Sequence, residues 1–95
     1  SLAIELGPFG VTANAVCPGS VRGDRMDRVI AAEAATRGVT TEEVEAEYTL
    51  AQSIARFVDP QEIADMCAFL ASPQARMVSG QVIAVDGHTE TYHIT

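Results

Sequence analysis

The 95-residue sequence contains no lysine and no tryptophan, and only two tyrosines, three phenylalanines and two cysteines. Each shortage excludes something. With six arginines as its only fixed cations against thirteen acids, its net charge of −7 argues against a nucleic-acid backbone as partner, and equally against an anionic membrane surface. Cys17 and Cys67 lie fifty residues apart and make no disulfide framework, so a reducing, cytoplasmic setting is expected. No apolar run approaches the roughly 20 residues that cross a bilayer, and no charged segment leads into a short apolar one as in a signal peptide. Internal repeats and low-complexity tracts are absent too. What remains is 47% apolar and 20% charged, the balance of a soluble globular protein long enough for one small domain with a modest core.

Read along the chain, "SLAIELGPFG" forms the last turns of a helix, with Gly7 just past its end and Pro8 preventing continuation. "VTANAV" follows, with small and beta-branched residues on both faces, which predicts a strand covered on two sides. "CPGSVRG" is a loop. Asp24 caps a helix running to about Thr36, with Met26, Val29 and Ile30 on one side and Gly38 ending it. Thr40 and Glu43 make a capping box for a second, acidic helix through roughly Gln52. Its apolar residues are few (Val44, Tyr48, Ala51), so a surface or lid element is expected rather than core.

The boundary at Asp59 is the most strongly written in the chain: Asp59 as cap, Pro60 as first helical residue, Glu62 as reciprocal acid. Ile63, Met66, Cys67 and Leu70 then share one helix face. "QVIAV", bounded by Ser79-Gly80 and Asp86-Gly87, predicts a buried strand. Two buried strands separated by helices imply an α/β fold with a parallel sheet. A parallel pair buried on both faces needs neighbours, so the sequence reads as part of a domain.

"SLAIELGPFGVTANAVCPGSV", "RFVDPQEIADMCAFLAS" and "SGQVIAVDGH", in that order, together resemble the C-terminal portion of the short-chain dehydrogenase/reductases. The likeness covers about 1–21 and 56–87; the stretch between matches as that family's variable substrate loop does. The resemblance implies a C-terminal part of a Rossmann-type doubly wound parallel sheet, in which residues 1–95 are one segment of an NAD(P)-binding domain and about 22–58 form a substrate lid. It implies NAD or NADP as cofactor and hydride transfer to or from a small-molecule carbonyl or alcohol substrate. The nicotinamide would lie against Pro18 and Gly19, with its carboxamide on the backbone of Val21. Proline lacks a donor and ends a ladder, and glycine lets a flat ring approach. Met26 and Val29 are candidates to line the substrate pocket. Many members carry a threonine two residues after the valine; this chain has Gly23, which leaves that contact to Asp24 or solvent.

The family's chemistry also needs a Tyr-x-x-x-Lys pair, in which the lysine charge lowers the tyrosine pKa, together with a serine and a glycine-rich pyrophosphate turn. Without a lysine, neither Tyr48 nor Tyr92 fills that role. These residues alone are expected to be inert, completed by the N-terminal part of the same domain. By the same likeness the last helix and last strand are the expected homotetramer surface, with Ile83 and Val85 in it. The competing expectation is a free-standing, acidic, non-catalytic interaction module.

Other conspicuous residues have plainer readings. Arg22-Gly23-Asp24 spells an adhesion tripeptide, but a helix cap explains Asp24. Cys17 and Cys67 are expected as small buried thiols. His88, Glu90 and His93 have the spacing of neither a helical ligand pair nor a zinc knuckle, so no metal site is expected. The acidic "TTEEVEAE" is a solvated helix start favoured by the helix dipole.

Overall fold

The structure, a computed structural model, describes residues 1–89. Helix α1 spans Leu2–Leu6, and a short 3-10 turn at Gly7–Phe9 ends on Gly10 in the left-handed region, where no side chain obstructs. Strand β1 is Ala15–Pro18, α2 Asp24–Arg37, α3 Thr41–Tyr48, α4 Pro60–Leu70, and β2 Val82–Val85. The two strands pair in parallel, Ala15 opposite Val82 through Pro18 opposite Val85. The fold is therefore α/β with a parallel sheet, as expected.

Three expectations shift. The first strand begins four residues later than the "VTANAV" pattern, at Ala15 rather than Val11, and continues through Pro18. Its entry is held by one backbone bond, from the Gly80 amide to the Ala13 carbonyl (2.8 Å), and otherwise by side chains. Asn14 donates to the Val78 carbonyl (3.0 Å) and accepts from the Gln81 amide (3.0 Å), while the Ser79 hydroxyl takes the Ala13 amide. Second, α3 stops at Tyr48, because the Thr49 hydroxyl turns back onto the Glu45 carbonyl and Gln52 is spent on a turn. Third, Gly23, not Asp24, is the N-cap of α2; Asp24 sits in the first turn, where the helix's positive end still favours it.

Pro18 does not end the ladder toward β2. The Ala15 and Gly19 amides donate to Gln81 and Val85, so even-numbered residues of β1 present their backbone to the opposite edge. Pro18 removes a donor from that other edge, which no described strand occupies.

Burial is uneven. The core is Ile30, Ala34, Val44 and Phe57, with Met26 and Val39 packed on it; all of these lie within 22–58. Val44, from the helix with few apolar residues, is the side chain with no exposure. In the sheet, Val16 lies near Cys67 and Leu70 of α4, and its partner Ile83, like Val85, is half-buried. Ala15, Cys17, Val82 and Ala84, on the opposite face, are exposed. The expected burial of the two thiols is thus corrected: both are exposed, Cys17 because its face of the sheet is bare, Cys67 because α4 buries no residue. Among the described residues, no helix is long and apolar enough to cross a membrane.

Candidate functional site

The carboxyl end of β1 is built by a change of partner. The Gly19 amide makes the last bond to β2, donating to the Val85 carbonyl at 3.0 Å. A Cβ added to Gly19 would lie 2.7 Å from the Asp86 Cβ and 2.9 Å from its Cα. Only glycine fits there, and the close approach of Asp86 accounts for it without any ligand. The chain then leaves β2 and pairs with the segment before α4. The Val58 amide donates to the Ser20 carbonyl (2.9 Å), and the Arg22 amide donates to the Val58 carbonyl (2.8 Å).

Val21 sits between those two bonds in a parallel bridge with Val58. In that geometry the flanking residues supply the bonds, and the bridge residue's own N–H and C=O turn the other way. Neither group of Val21 makes a hydrogen bond among the described residues. Val21 is half-buried, so a donor and an acceptor are left there without a described partner.

The sequence-predicted residues divide. Pro18 is exposed, and Gly19 and Val21 are half-buried beside it, so these three are brought together. Met26 and Val29 part company: Met26 packs against the Ile30, Ala34, Val44 and Phe57 core, whereas Val29 is 44% exposed. His88 places its ring nitrogen Nδ1 against the Ser53 hydroxyl, and among the described residues no group of three metal-ligating side chains forms. Glu90 and His93 lie outside the described residues.

A latch that sequence reasoning missed ties Gln52, Ser53 and Ile54 to the end of β2. Gln52 and Thr89 form an antiparallel bridge; the Ser53 and Ile54 amides donate to the His88 and Gly87 carbonyls at 3.1 and 2.9 Å. Buried Gln52 donates from its side chain to the Ile54 and Arg56 carbonyls. Gly87, in the left-handed region, leaves no room for a Cβ, which would meet Gln52 Nε2 at 2.8 Å. The Asp-Gly dipeptide at 86–87 is the available signal, and by itself it marks only a strand boundary.

Two clefts adjoin. One, of about 300 Å³, lies between Val58, Val85, Asp86 and His88; the other, of about 370 Å³, lies between Arg22, Glu45, Thr49 and Phe57. At the first, Arg56 grips Glu62 with two bonds of 2.8 and 2.7 Å, and the Asp59 amide donates to the same carboxylate. The Arg56 guanidinium, then the Asp59 amide, hold the Glu62 carboxyl down at about 2. Between α2 and α3, the Arg37 guanidinium likewise holds the Glu47 carboxyl below its ordinary value.

Residues 1–88 match the family described as Enoyl-(Acyl carrier protein) reductase. The chain belongs to this family, one of short-chain dehydrogenases/reductases. It is 33% identical over 88 residues to D-beta-hydroxybutyrate dehydrogenase of Rhizobium meliloti (strain 1021), covering 92% of this chain and 34% of that protein. Among solved structures, a short-chain dehydrogenase family protein from Francisella tularensis superposes with a TM-score of 0.79 at 31% identity, over 90% of this chain and 36% of the other. An actinorhodin polyketide ketoreductase solved with NADPH superposes with a TM-score of 0.73 at 38% identity, over 90% and 33%. The chain thus spans about a third of the length of the relatives it matches. The sheet and its helices are part of a Rossmann fold.

Proposed function

We propose that this chain is the nicotinamide-facing and substrate-covering part of an NAD(P)-dependent oxidoreductase that moves hydride between cofactor and a small carbonyl or alcohol substrate. The observation that carries this reading is the Val21 peptide, whose donor and acceptor stand free at the carboxyl end of a parallel strand, where open α/β sheets take their ligands. The carboxamide of a nicotinamide has one donor and one acceptor group to match. The fit is chemical as well as positional: Pro18 and Gly19 leave a flat, side-chain-poor wall next to that peptide.

In this reading each residue has a defined task. When bound, the nicotinamide supplies the hydride or accepts it. Val21 orients its carboxamide, and preset backbone groups do so with little reorganisation. Pro18 presents an apolar wall, and Val29 faces the substrate from α2. The proton relay falls to groups outside these residues, since no lysine is present and Tyr48 stacks edge-on against Phe57.

The test is amide hydrogen exchange on the intact protein with NADH or NADPH, then with ADP-ribose, which lacks the nicotinamide. Slowed exchange at Val21 with the dinucleotide only is expected. Exchange at Val21 indifferent to the dinucleotide would sink the reading.

The bare sheet face supports a partner. The chain exposes 6,948 Å², where a compact monomer of 10.1 kDa is expected to expose about 5,300 Å². We assign that surface to the remainder of a Rossmann sheet, against the free edge and bare face of β1, and to a homotetramer contact through α4 and β2. The register makes exposed Val82, rather than half-buried Ile83 or Val85, the sharper probe. Val82→Asp should yield smaller species on sizing columns; an unchanged assembly rejects the contact. A cytoplasmic location goes with this reading, since both described cysteines are free thiols.

A further inference from the structure

We propose that Arg22 is a positioning residue for the nicotinamide wall: by stacking on Phe57 and reaching Glu45, it fixes the peptide of Val21 through the lid core. This rests on the reading above that Val21 meets the nicotinamide.

The argument starts from how little holds Val21 otherwise. Its pairing with Val58 consists of two hydrogen bonds, and an isolated bridge of that length is marginal in water. Val58 is itself well anchored, being 5% exposed and adjacent to Phe57, which is 2% exposed and packs with Ile30, Ala34 and Val44. Arg22 approaches the same segment twice. Its amide donates to the Val58 carbonyl, and its guanidinium lies over the Phe57 ring, 5.3 Å from the centroid. The far end of the guanidinium reaches the Glu45 carboxylate of α3 at 3.4 Å. Backbone and side chain of one residue therefore grip neighbouring residues of the lid, and rotation of the Val21 peptide about the bridge is opposed. Arginine suits this because its planar cation stacks on an aromatic face while keeping in-plane donors for a carboxylate.

The other paired arginines serve different ends. Arg37 pairs with Glu33 within α2 and joins α2 to α3 through Glu47, and Arg56 binds Glu62 of the neighbouring helix start. Arg22 links the end of β1 to α3, so lid packing and cofactor geometry become one mechanical unit. A change in the lid, on substrate entry for instance, would reach the carboxamide site through Phe57 and Val58.

The experiment measures dissociation constants of the intact protein for whichever of NADH and NADPH it binds, and for the matching ADP-ribose fragment without nicotinamide. Arg22→Ala should weaken the dinucleotide about fivefold and leave the fragment unchanged. Arg22→Lys should recover little of this, and Arg25→Ala should alter neither ligand. Equal weakening of both ligands would mean a general loss of fold, and no weakening would mean no role; either overturns the proposal. Should Arg22→Ala not fold, Glu45→Gln carries the same test, with about a twofold loss on the dinucleotide expected and no loss overturning it. If the native protein binds dinucleotide no more tightly than fragment, the nicotinamide-wall reading itself fails, which is a distinguishable result.

Discussion

Between residues 22 and 58 the apolar side chains find one another: Ile30, Ala34, Val44 and Phe57 are each at most 5% exposed. In the sheet and α4 they do not. Val82 is 74% exposed and Phe69 47%, and α4 buries no residue although its apolar stripe is the clearest in the sequence. Apolar content therefore does not decide where the core lies. Two helices and a return segment close around a centre, whereas a two-stranded sheet with one covered face has no second layer to close against. Residues 22–58 carry their own packing, whereas the sheet leaves Ala15, Cys17, Val82 and Ala84 exposed on one face.

The sharpest way to break that comparison is Val44→Asp. It places a carboxylate where the side chain has no exposure, in the apolar cluster of Ile30, Ala34 and Phe57, and should destabilise residues 22–58 by at least about 3 kcal/mol. Circular dichroism should report the loss of α2 and α3, while exchange at the Cys17 and Gly19 amides should stay as in the native chain. Simultaneous loss of both regions would show that they are one cooperative unit. Next in size is Gly19→Ala. Its methyl would press on the Asp86 backbone, where nothing can move aside cheaply, so a loss of about 1–3 kcal/mol is expected by thermal melting without any cofactor. If stability is intact and only cofactor binding falls, the glycine serves the ring rather than Asp86.

Much of this was legible beforehand because local rules agree with the global fold. Gly38 at the end of α2, Thr40 before α3 and Asp59-Pro60 before α4 stand where capping chemistry places them. Pro18, Gly19 and Val21 were recognisable as a cluster from the motif order, not from any spacing rule. Illegible was whatever depends on contacts between distant segments. The pairing of Val58 with Ser20 and Arg22, which frees the Val21 peptide, joins residues nearly forty positions apart. The Asn14 clip onto Val78 and Gln81 delays β1 although the alternation at 11–16 reads as strand. Val44 misled because the count of apolar residues on α3 says nothing about what closes over a single one.

A smaller effect sharpens the contrast within the sheet itself. Val82→Thr and Val85→Thr change one strand at an outward and an inward position, at its two ends. The first should shift stability by under about 0.5 kcal/mol and the second by about 1–2 kcal/mol, because only Val85 is half-covered. Equal costs, read from urea melts, would mean that both faces are already covered.

The smallest expected effect concerns the joint between the two regions, where Arg56, just before α4, holds Glu62 in that helix's first turn. The Glu62 carboxyl is depressed from its ordinary 4.5 to about 2 by the Arg56 guanidinium and then the Asp59 amide. The folded form therefore binds its proton less readily than the unfolded chain does. The resulting stabilisation is complete above about pH 4.5, declines as the pH falls, and is gone below about 2. Both partners are substantially exposed, so the effect is modest and weakens with salt. Thermal midpoints of native chain and Glu62→Gln, measured from pH 2 to pH 6 at low salt, should converge at the acid end and separate above about pH 4.5. A constant separation across that range would mean that Glu62 acts by its hydrogen bond to the Asp59 amide alone, and that charge plays no part in joining Arg56 to α4.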